Sequence, residues 1–126
     1  MVNKEKNFAS AVIYVHNAQS RLEEFLKMII TTMEANFEHS EIICVNDFSE
    51  DNSLELIKKA SESAVSTTVS VVNMSHFHGL ELAMNAGIDL AIGDFVFEFD
   101  NTYCDFDASV IMQIYKTFFS DYFLVL

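Results

Sequence analysis

Polar side chains that could bind a ligand follow four apolar runs of the sequence. They are Tyr14, His16 and Asn17; Asn46 and Asp47; Asn73, Ser75, His76 and His78; and Asp100, Asn101 and Thr102, with Asp105 and Asp107 close behind. Carboxylate oxygens suit a hard divalent cation or a pair of ribose hydroxyls. The residue types therefore indicate a site for one of these two groups.

Glycine-rich phosphate loops are absent from the sequence. The three glycines, Gly79, Gly87 and Gly93, fit neither GxGxxG nor GxxxxGK[ST]. The single arginine is Arg21. A bound diphosphate would therefore be neutralised most readily by a metal ion.

The apolar runs alternate with segments of helical periodicity. The patterns predict strands at residues 10–15, 41–46, 67–72, 95–99 and 122–126, and helices at about 21–37, 54–63, 80–91 and 107–119. Ser20 and Glu23 predict a capping box at the first helix, and Gly93 predicts the C-cap of the third.

This order of elements predicts an α/β fold. We expect one domain over residues 1–126, a three-layer α/β/α arrangement around a mostly parallel sheet. Ligands of such sheets bind beyond the carboxyl ends of the strands, which is where the four polar groups lie. The apolar last run, residues 122–126, predicts that the chain is truncated or the first half of a larger fold.

Charge and composition narrow the class of partner. The 126 residues contain 19 acidic and 7 basic side chains, giving a net charge of -12. This charge argues against nucleic acid or anionic lipid as a partner. No apolar run approaches the roughly 18 residues of a transmembrane segment, and no signal peptide is recognisable. The two cysteines, Cys44 and Cys104, suit a reducing, cytoplasmic location.

Four blocks of the sequence resemble family 2 glycosyltransferases. Residues 12–17 (VIYVHN) are similar to the family's VIIPVYN strand, and residues 41–53 (EIICVNDFSEDNS) to its EIIVVDDGSTDGT segment. Residues 75–87 resemble its SRNFG…AxxAG helix, and residues 93–102 (GDFVFEFDNT) its GDYVLFLDAD strand. The blocks follow one another in the family's order and cover nearly the whole chain.

The resemblance implies a GT-A fold (Rossmann-like, a nucleotide-diphospho-sugar transferase) and its nucleotide-sugar half. The family's nucleobase contacts match His16 and Asp47, and its DxD motif, which binds ribose and metal, begins at Asp100. The implied nucleotide-binding residues are Tyr14, His16, Asn17, Asp47, His76, Asp100 and Asn101.

The implied reaction is transfer of a glycosyl group from a nucleotide-diphosphate sugar to an acceptor hydroxyl by in-line displacement. A divalent cation, Mg²⁺ or Mn²⁺, would stabilise the leaving nucleoside diphosphate, with Asp100 as its ligand. The catalytic base belongs to the family's acceptor half, so no residue of this chain is assigned to it. The acceptor, a saccharide or a lipid-linked molecule, stays unspecified, as does an oligomeric state.

Four of the chain's departures from the family pattern bear on the first two strand ends and the DxD motif. The family's proline is Tyr14, its tyrosine is His16, and the first aspartate of its DDGS segment is Asn46. The third position of the DxD motif is Thr102, whose neutral hydroxyl is a poorer ligand for Mg²⁺ or Mn²⁺ than a carboxylate.

Several of these residues also have purely structural interpretations. Asp47 is equally the kind of residue that forms a turn or caps a helix, and Asp107 suits the cap of the fourth helix. His16 could be a packed, hydrogen-bonded histidine. His76 and His78 have the spacing of two zinc ligands, but no third ligand lies near them in sequence.

Two other functions compete with the transferase. A non-catalytic nucleotide-binding or interaction module could keep this fold after losing the metal chemistry, which Thr102 favours. A phospho-acceptor receiver domain has a similar size and charge, but it requires an acidic pair after its first strand. His16 and Asn17 occupy that position here.

Overall fold

Strands and helices alternate strictly along the chain. The computed structural model describes residues 3–121, of which 119–121 only by their backbone. The elements are β1 (Ala9–Val15), α1 (Leu22–Asn36), β2 (Ser40–Asn46), α2 (Ser53–Ser63), β3 (Thr67–Asn73), α3 (Leu80–Leu90), β4 (Phe95–Phe99) and α4 (Ser109–Asp121). The predicted α/β class is confirmed, and the predicted fifth strand, residues 122–126, lies outside the described residues.

The four described strands form one parallel sheet in the order β3-β2-β1-β4. Ala9 pairs with Ser40 of β2 on one side and with Phe95 of β4 on the other. The two inner strands β1 and β2 are covered on both faces, which explains why their sequences are almost continuously apolar. The sheet is built outward from β1 to β3 and then continues with β4 on the opposite side of β1.

Helices cover both faces of the sheet, so the predicted three layers are present. Ile13 and Cys44 point into the larger core, which is shared with α1, α2 and α4. Val12 and Val45 point to the opposite face, where they pack against Ala83 of α3. Burial raises the pKa of the Cys44 thiol to about 12, as expected for an unreactive core cysteine.

Two predicted helix caps are wrong. Helix α1 begins after Arg21 without a side-chain cap, because the carbonyl oxygen of Ala18 already accepts the N–H groups of Arg21 and Leu22. Helix α3 ends at Leu90 with Ala91 as its C-cap, not Gly93. A Cβ at Gly93 would lie 2.8 Å from the carbonyl oxygen of Phe8, so this position requires glycine for close backbone packing.

Helix α4 confirms its prediction in part, since Ile111 and Tyr115 are buried in the core as its periodicity requires. The Asp107 carboxylate accepts the N–H of Ser109 at 2.9 Å, which confirms it as a capping residue. Ile114 and Phe118, which helical periodicity places near the face of the buried Ile111 and Tyr115, are nevertheless 55% and 44% exposed. Both lie over β4, the edge strand of the described sheet, where there is less sheet to cover them. None of the helices within residues 3–121 has the length and apolarity needed to cross a bilayer.

Candidate functional site

A buried carboxylate joins three elements at the carboxyl end of the sheet. Asp47 follows β2 and is completely buried. Its Oδ2 accepts hydrogen bonds from the Tyr14 hydroxyl at 2.7 Å and from the Gly79 N–H at 2.9 Å. Its Oδ1 accepts the His78 N–H at 2.9 Å. The carboxylate therefore fixes β1, β2 and the loop before α3 relative to one another.

These hydrogen bonds set the charge state of the pair. Burial alone would raise the pKa of Asp47, but the donors from Tyr14, His78 and Gly79 outweigh it, and the pKa lies below its usual value. Burial and the neighbouring carboxylate raise the pKa of the Tyr14 hydroxyl. At neutral pH the pair is an anion that accepts a hydrogen bond from a neutral phenol.

The backbone around Asp47 adopts conformations that are rare for the residues present. Gly79 has φ 89° and ψ 166°, a region open essentially to glycine alone. Phe48 has φ 57° and is 47% exposed, at the position where the family pattern has glycine. A bulky side chain with this φ is unusual, and the sequence pattern did not reveal it.

His16 and Phe77 form an aromatic rim above this network. The His16 Nδ1 lies 2.7 Å from the carbonyl oxygen of Asp47, and because a carbonyl only accepts, Nδ1 carries the proton. The rings of His16 and Phe77 are 4.8 Å apart and tilted by 58°, and Phe77 is 56% exposed. Sequence reasoning found His16 but missed Phe77.

The other predicted residues of the first and third groups lie beside this rim. The Asn17 side-chain oxygen accepts the Glu50 N–H at 2.7 Å, so Asn17 ties the first loop to the second. His76 is exposed, and its ring stacks on that of His78 at 4.1 Å. In the described part of the chain no three His, Cys, Asp or Glu side chains are grouped to hold a metal ion, so the two histidines lack a third ligand.

Asp100 and Asn101 are exposed at the end of β4. The Asn101 amide nitrogen lies 3.3 Å from the Asp100 Oδ1. Asp100 lines a shallow cavity of about 370 Å³ together with Glu98 and the first turns of α3, including Leu80 and Glu81. Asp47 is not part of that cavity, because its carboxylate lies buried beneath the start of the same helix.

Thr102, the last position of the DxD-like motif, points into the protein. It is 1% exposed, and its hydroxyl oxygen accepts a hydrogen bond from Arg21 Nε at 3.0 Å. The guanidinium carbon of Arg21 also lies 4.2 Å from the centre of the Tyr103 ring. A neutral hydroxyl that accepts from a guanidinium does not fit a ligand of a divalent cation, so Asp100 is the only acidic position left in the motif.

Arg21 is the functional candidate that the sequence patterns missed. The loops after the four strands, residues 16–21, 47–52, 74–79 and 100–108, contain no other arginine or lysine. Two features of the sequence could have indicated it. Arg21 is the only arginine of the chain, and the DxD-like motif has Thr102 in place of its second carboxylate.

The loops after β1 and β4 meet at the point where the strand order reverses. In open parallel sheets the crevice for a ligand lies at this reversal, beyond the carboxyl ends. His16 and Arg21 come from the first loop, and Asp100 and Thr102 come from the second. The structure brings Arg21 of the first loop into contact with Thr102 of the second at this reversal, and Asp100 lines the cavity against α3.

Comparison with known proteins decides the family. The sequence profile described as Glycosyl transferase family 2 matches residues 10–104, which include the first three loops and the first half of the loop after β4. The chain belongs to this family. The family 2 match reaches from the first residues of β1 to just beyond Tyr103.

Curated relatives are about one-third identical to this chain over the aligned region. An undecaprenyl-phosphate 4-deoxy-4-formamido-L-arabinose transferase of Edwardsiella ictaluri is 34% identical over 97 residues, covering 77% of this chain and 30% of the relative. An uncharacterised glycosyltransferase of Synechocystis is 34% identical over 91 residues, covering 72% and 28%. The chain therefore spans less than a third of the length of these relatives.

Solved glycosyltransferase structures have the same fold. A mannosyltransferase of Pyrobaculum calidifontis, in complex with GDP-Man and Mn²⁺, superposes with a TM-score of 0.76 at 16% identity, covering 91% of this chain and 33% of the other. TarS of S. aureus, in complex with UDP-GlcNAc, gives a TM-score of 0.66 at 18% identity, covering 89% and 31%. The expected GT-A fold is thereby confirmed.

Proposed function

We propose that this chain is the donor-binding part of a family 2 glycosyltransferase. In this proposal the crevice between the β1 and β4 loops binds a nucleotide-diphosphate sugar. The observation that carries it is the meeting of family-matched loops at the reversal of strand order. The nucleotide sugars GDP-Man and UDP-GlcNAc in the two similar structures support a nucleotide sugar as the ligand class.

The contacts divide the proposed site residues into two groups. The exposed or half-buried side chains of His16, His76, Asp100 and Asn101 are available to a nucleotide. Tyr14, Asn17 and Asp47 use their side chains to hold the loops. We therefore propose that Asp47 acts by positioning the loop at Gly79, and that Asp100 contacts the ribose.

The transfer step is proposed for the whole protein, since this chain matches less than a third of its relatives. The glycosyl group would pass to an acceptor hydroxyl or, by analogy with the named undecaprenyl-phosphate transferases, to a lipid-linked acceptor. The cytoplasmic location expected from the two cysteines stays a prediction, as does an oligomeric state.

A non-catalytic nucleotide-binding or interaction module is the second candidate. The hydrogen bond between Arg21 and Thr102 favours it, because it occupies the position where the family pattern has a metal-binding carboxylate. A module of this kind would keep the fold and the loop network without transferring a sugar.

Calorimetry with UDP and GDP, with and without Mn²⁺, tests the proposal. We expect one of the two nucleotides to bind in the micromolar range and Asp100→Asn to weaken it about tenfold, as for loss of a hydrogen bond to a charged group. Asp89→Asn is the matched control, since Asp89 is an exposed residue of α3 with the same charge. Absence of binding by either nucleotide at millimolar concentration would support the non-catalytic interaction module.

A further inference from the structure

Arg21 is held in place on two sides. Its Nε donates to the buried Thr102 hydroxyl at 3.0 Å, and its guanidinium lies 4.2 Å from the centre of the Tyr103 ring. A guanidinium has five N–H donors, and stacking on an aromatic ring fixes the plane in which they point. Among the described residues, Nε is the only guanidinium nitrogen of Arg21 with a hydrogen-bond partner. The terminal nitrogens are therefore oriented but unused.

The position of Arg21 matches the proposed donor crevice. Arg21 ends the loop after β1, and Thr102 belongs to the loop after β4, so their hydrogen bond spans the reversal of strand order. No carboxylate in the described part of the chain lies within ion-pair distance of Arg21. Its charge is thus not neutralised by an internal partner.

The remaining charge of these loops is negative. They carry six carboxylates, Asp47, Glu50, Asp51, Asp100, Asp105 and Asp107. A diphosphate would be repelled by this set unless a cation lay between them. Thr102 cannot supply a second carboxylate for a divalent cation, and its hydroxyl is already bonded to a cationic group. The hydrogen bond between Arg21 and Thr102 therefore places a positive charge at the position where the family pattern has a metal-binding carboxylate.

We propose that Arg21 binds the diphosphate of the nucleotide-sugar donor in place of a divalent cation, so that this chain binds its donor without metal. The inference rests on the proposed function. Arginine presents planar paired donors that suit phosphate oxygens, and its charge does not depend on pH in the physiological range. Thr102 and Tyr103 act as positioning residues for the guanidinium.

Calorimetry in the presence of EDTA tests this inference with UDP, GDP and the nucleosides uridine and guanosine. We expect the wild-type chain to bind its preferred diphosphate equally well in EDTA and in Mn²⁺. Arg21→Gln should weaken binding of the diphosphate by about 10- to 100-fold, the effect of losing a charge-assisted hydrogen bond. The affinity for the matching nucleoside should stay the same, which a general loss of structure would not allow.

Lys27→Gln is the matched control, because Lys27 is exposed on α1 and carries the same charge. It should leave both affinities unchanged. Arg21→Lys keeps the charge without the planar donors and should fall between the wild type and Arg21→Gln. Circular dichroism of each variant checks that the fold is kept.

The outcomes separate this inference from the proposed function. Binding of the diphosphate that requires Mn²⁺ and is insensitive to Arg21→Gln overturns the role of Arg21 and leaves the donor site intact. Failure of the wild type to bind UDP or GDP under any condition overturns both proposals.

Discussion

The hydroxyl of Tyr14 and the carboxylate of Asp47 are joined by a 2.7 Å hydrogen bond between the ends of two neighbouring strands. Tyr14 occupies the position of a proline in the family pattern. Its hydroxyl therefore supplies a side-chain hydrogen-bond donor that proline lacks. The bond helps to hold Asp47 in its ionised form, and Asp47 in turn holds the backbone of His78 and Gly79. The position of the loop before α3 thus depends on a buried side chain at the end of β2.

Replacing Tyr14 by phenylalanine removes this donor and leaves the ring. We expect Tyr14→Phe to lower the free energy of unfolding by about 1.5–3 kcal/mol, the usual effect for a hydrogen bond to a charged group. Urea denaturation measures the change. Tyr103→Phe is the control, since Tyr103 is half exposed. Equal stabilities of the two variants would show that the bond to Asp47 contributes nothing.

The ionised Asp47 makes stability dependent on acid pH. Its pKa in the folded chain lies below the unfolded value of about 3.9, so its contribution is fully present above that pH. The contribution is lost as the pH falls through the folded pKa. Asp47→Asn should therefore cost about 2 kcal/mol or more at pH 7 and progressively less below pH ~4.

Urea titrations of the wild type and of Asp47→Asn between pH 2.5 and 7 measure this difference. Asp89→Asn, an exposed change of the same kind, should show no such trend. A difference between the wild type and Asp47→Asn that stays constant across the whole range would contradict the assigned ionisation.

Gly79 is required by its backbone conformation and not by lack of space. No atom lies within 4 Å of a Cβ built at this position, yet its φ is 89°. Gly79→Ala should therefore lower the free energy of unfolding by about 1–3 kcal/mol through backbone strain alone. The variant should also weaken UDP or GDP binding, because strain at position 79 would displace the loop that Asp47 positions. A variant as stable as the wild type would refute the strain argument.

Gly87 and Gly93 are both close to their neighbours but differ in what those neighbours are. A Cβ at Gly87 would meet the side-chain methyl groups of Val12 and Val45, whereas one at Gly93 would meet backbone atoms of Phe8 and Ser10. The methyl groups of these buried valines resist displacement, but less than backbone atoms do, and alanine also favours the helix at Gly87. Thermal denaturation should therefore show a larger loss of stability for Gly93→Ala than for Gly87→Ala. The reverse order would contradict this explanation.

The inner strands were predictable because a strand buried on both faces has an almost continuously apolar sequence. Ile13 and Val12 face opposite layers, so no polar residue interrupts β1 near them. The residues after each strand were also predictable as a group, since strand ends require polar caps and turns. The individual roles of these residues were not predictable. Asp47 and Asp100 are the same residue type, but Asp47 is buried and Asp100 is exposed.

Features formed by residues distant in sequence could not be predicted. Arg21 and Thr102 are 81 positions apart, and no local pattern marks their contact. The capping box at Ser20 and Glu23 failed for a related reason. The carbonyl oxygen of Ala18 accepts the N–H groups of Arg21 and Leu22, so these groups do not require a side-chain cap. Glu34 on α1 likewise accepts the N–H groups of Val65, Ser66 and Thr67, which lie 31–33 positions away in sequence.

The central place of β1 between β2 and β4 has a consequence for synthesis on the ribosome. The hydrogen bond from Phe8 to Asp94, at the start of the β1–β4 pairing, joins residues separated by 86 positions. At about 5–20 residues per second, that interval takes roughly 4–17 s. During this time the nascent chain has an apolar strand edge without its partner, a state in which chaperones bind and aggregation begins.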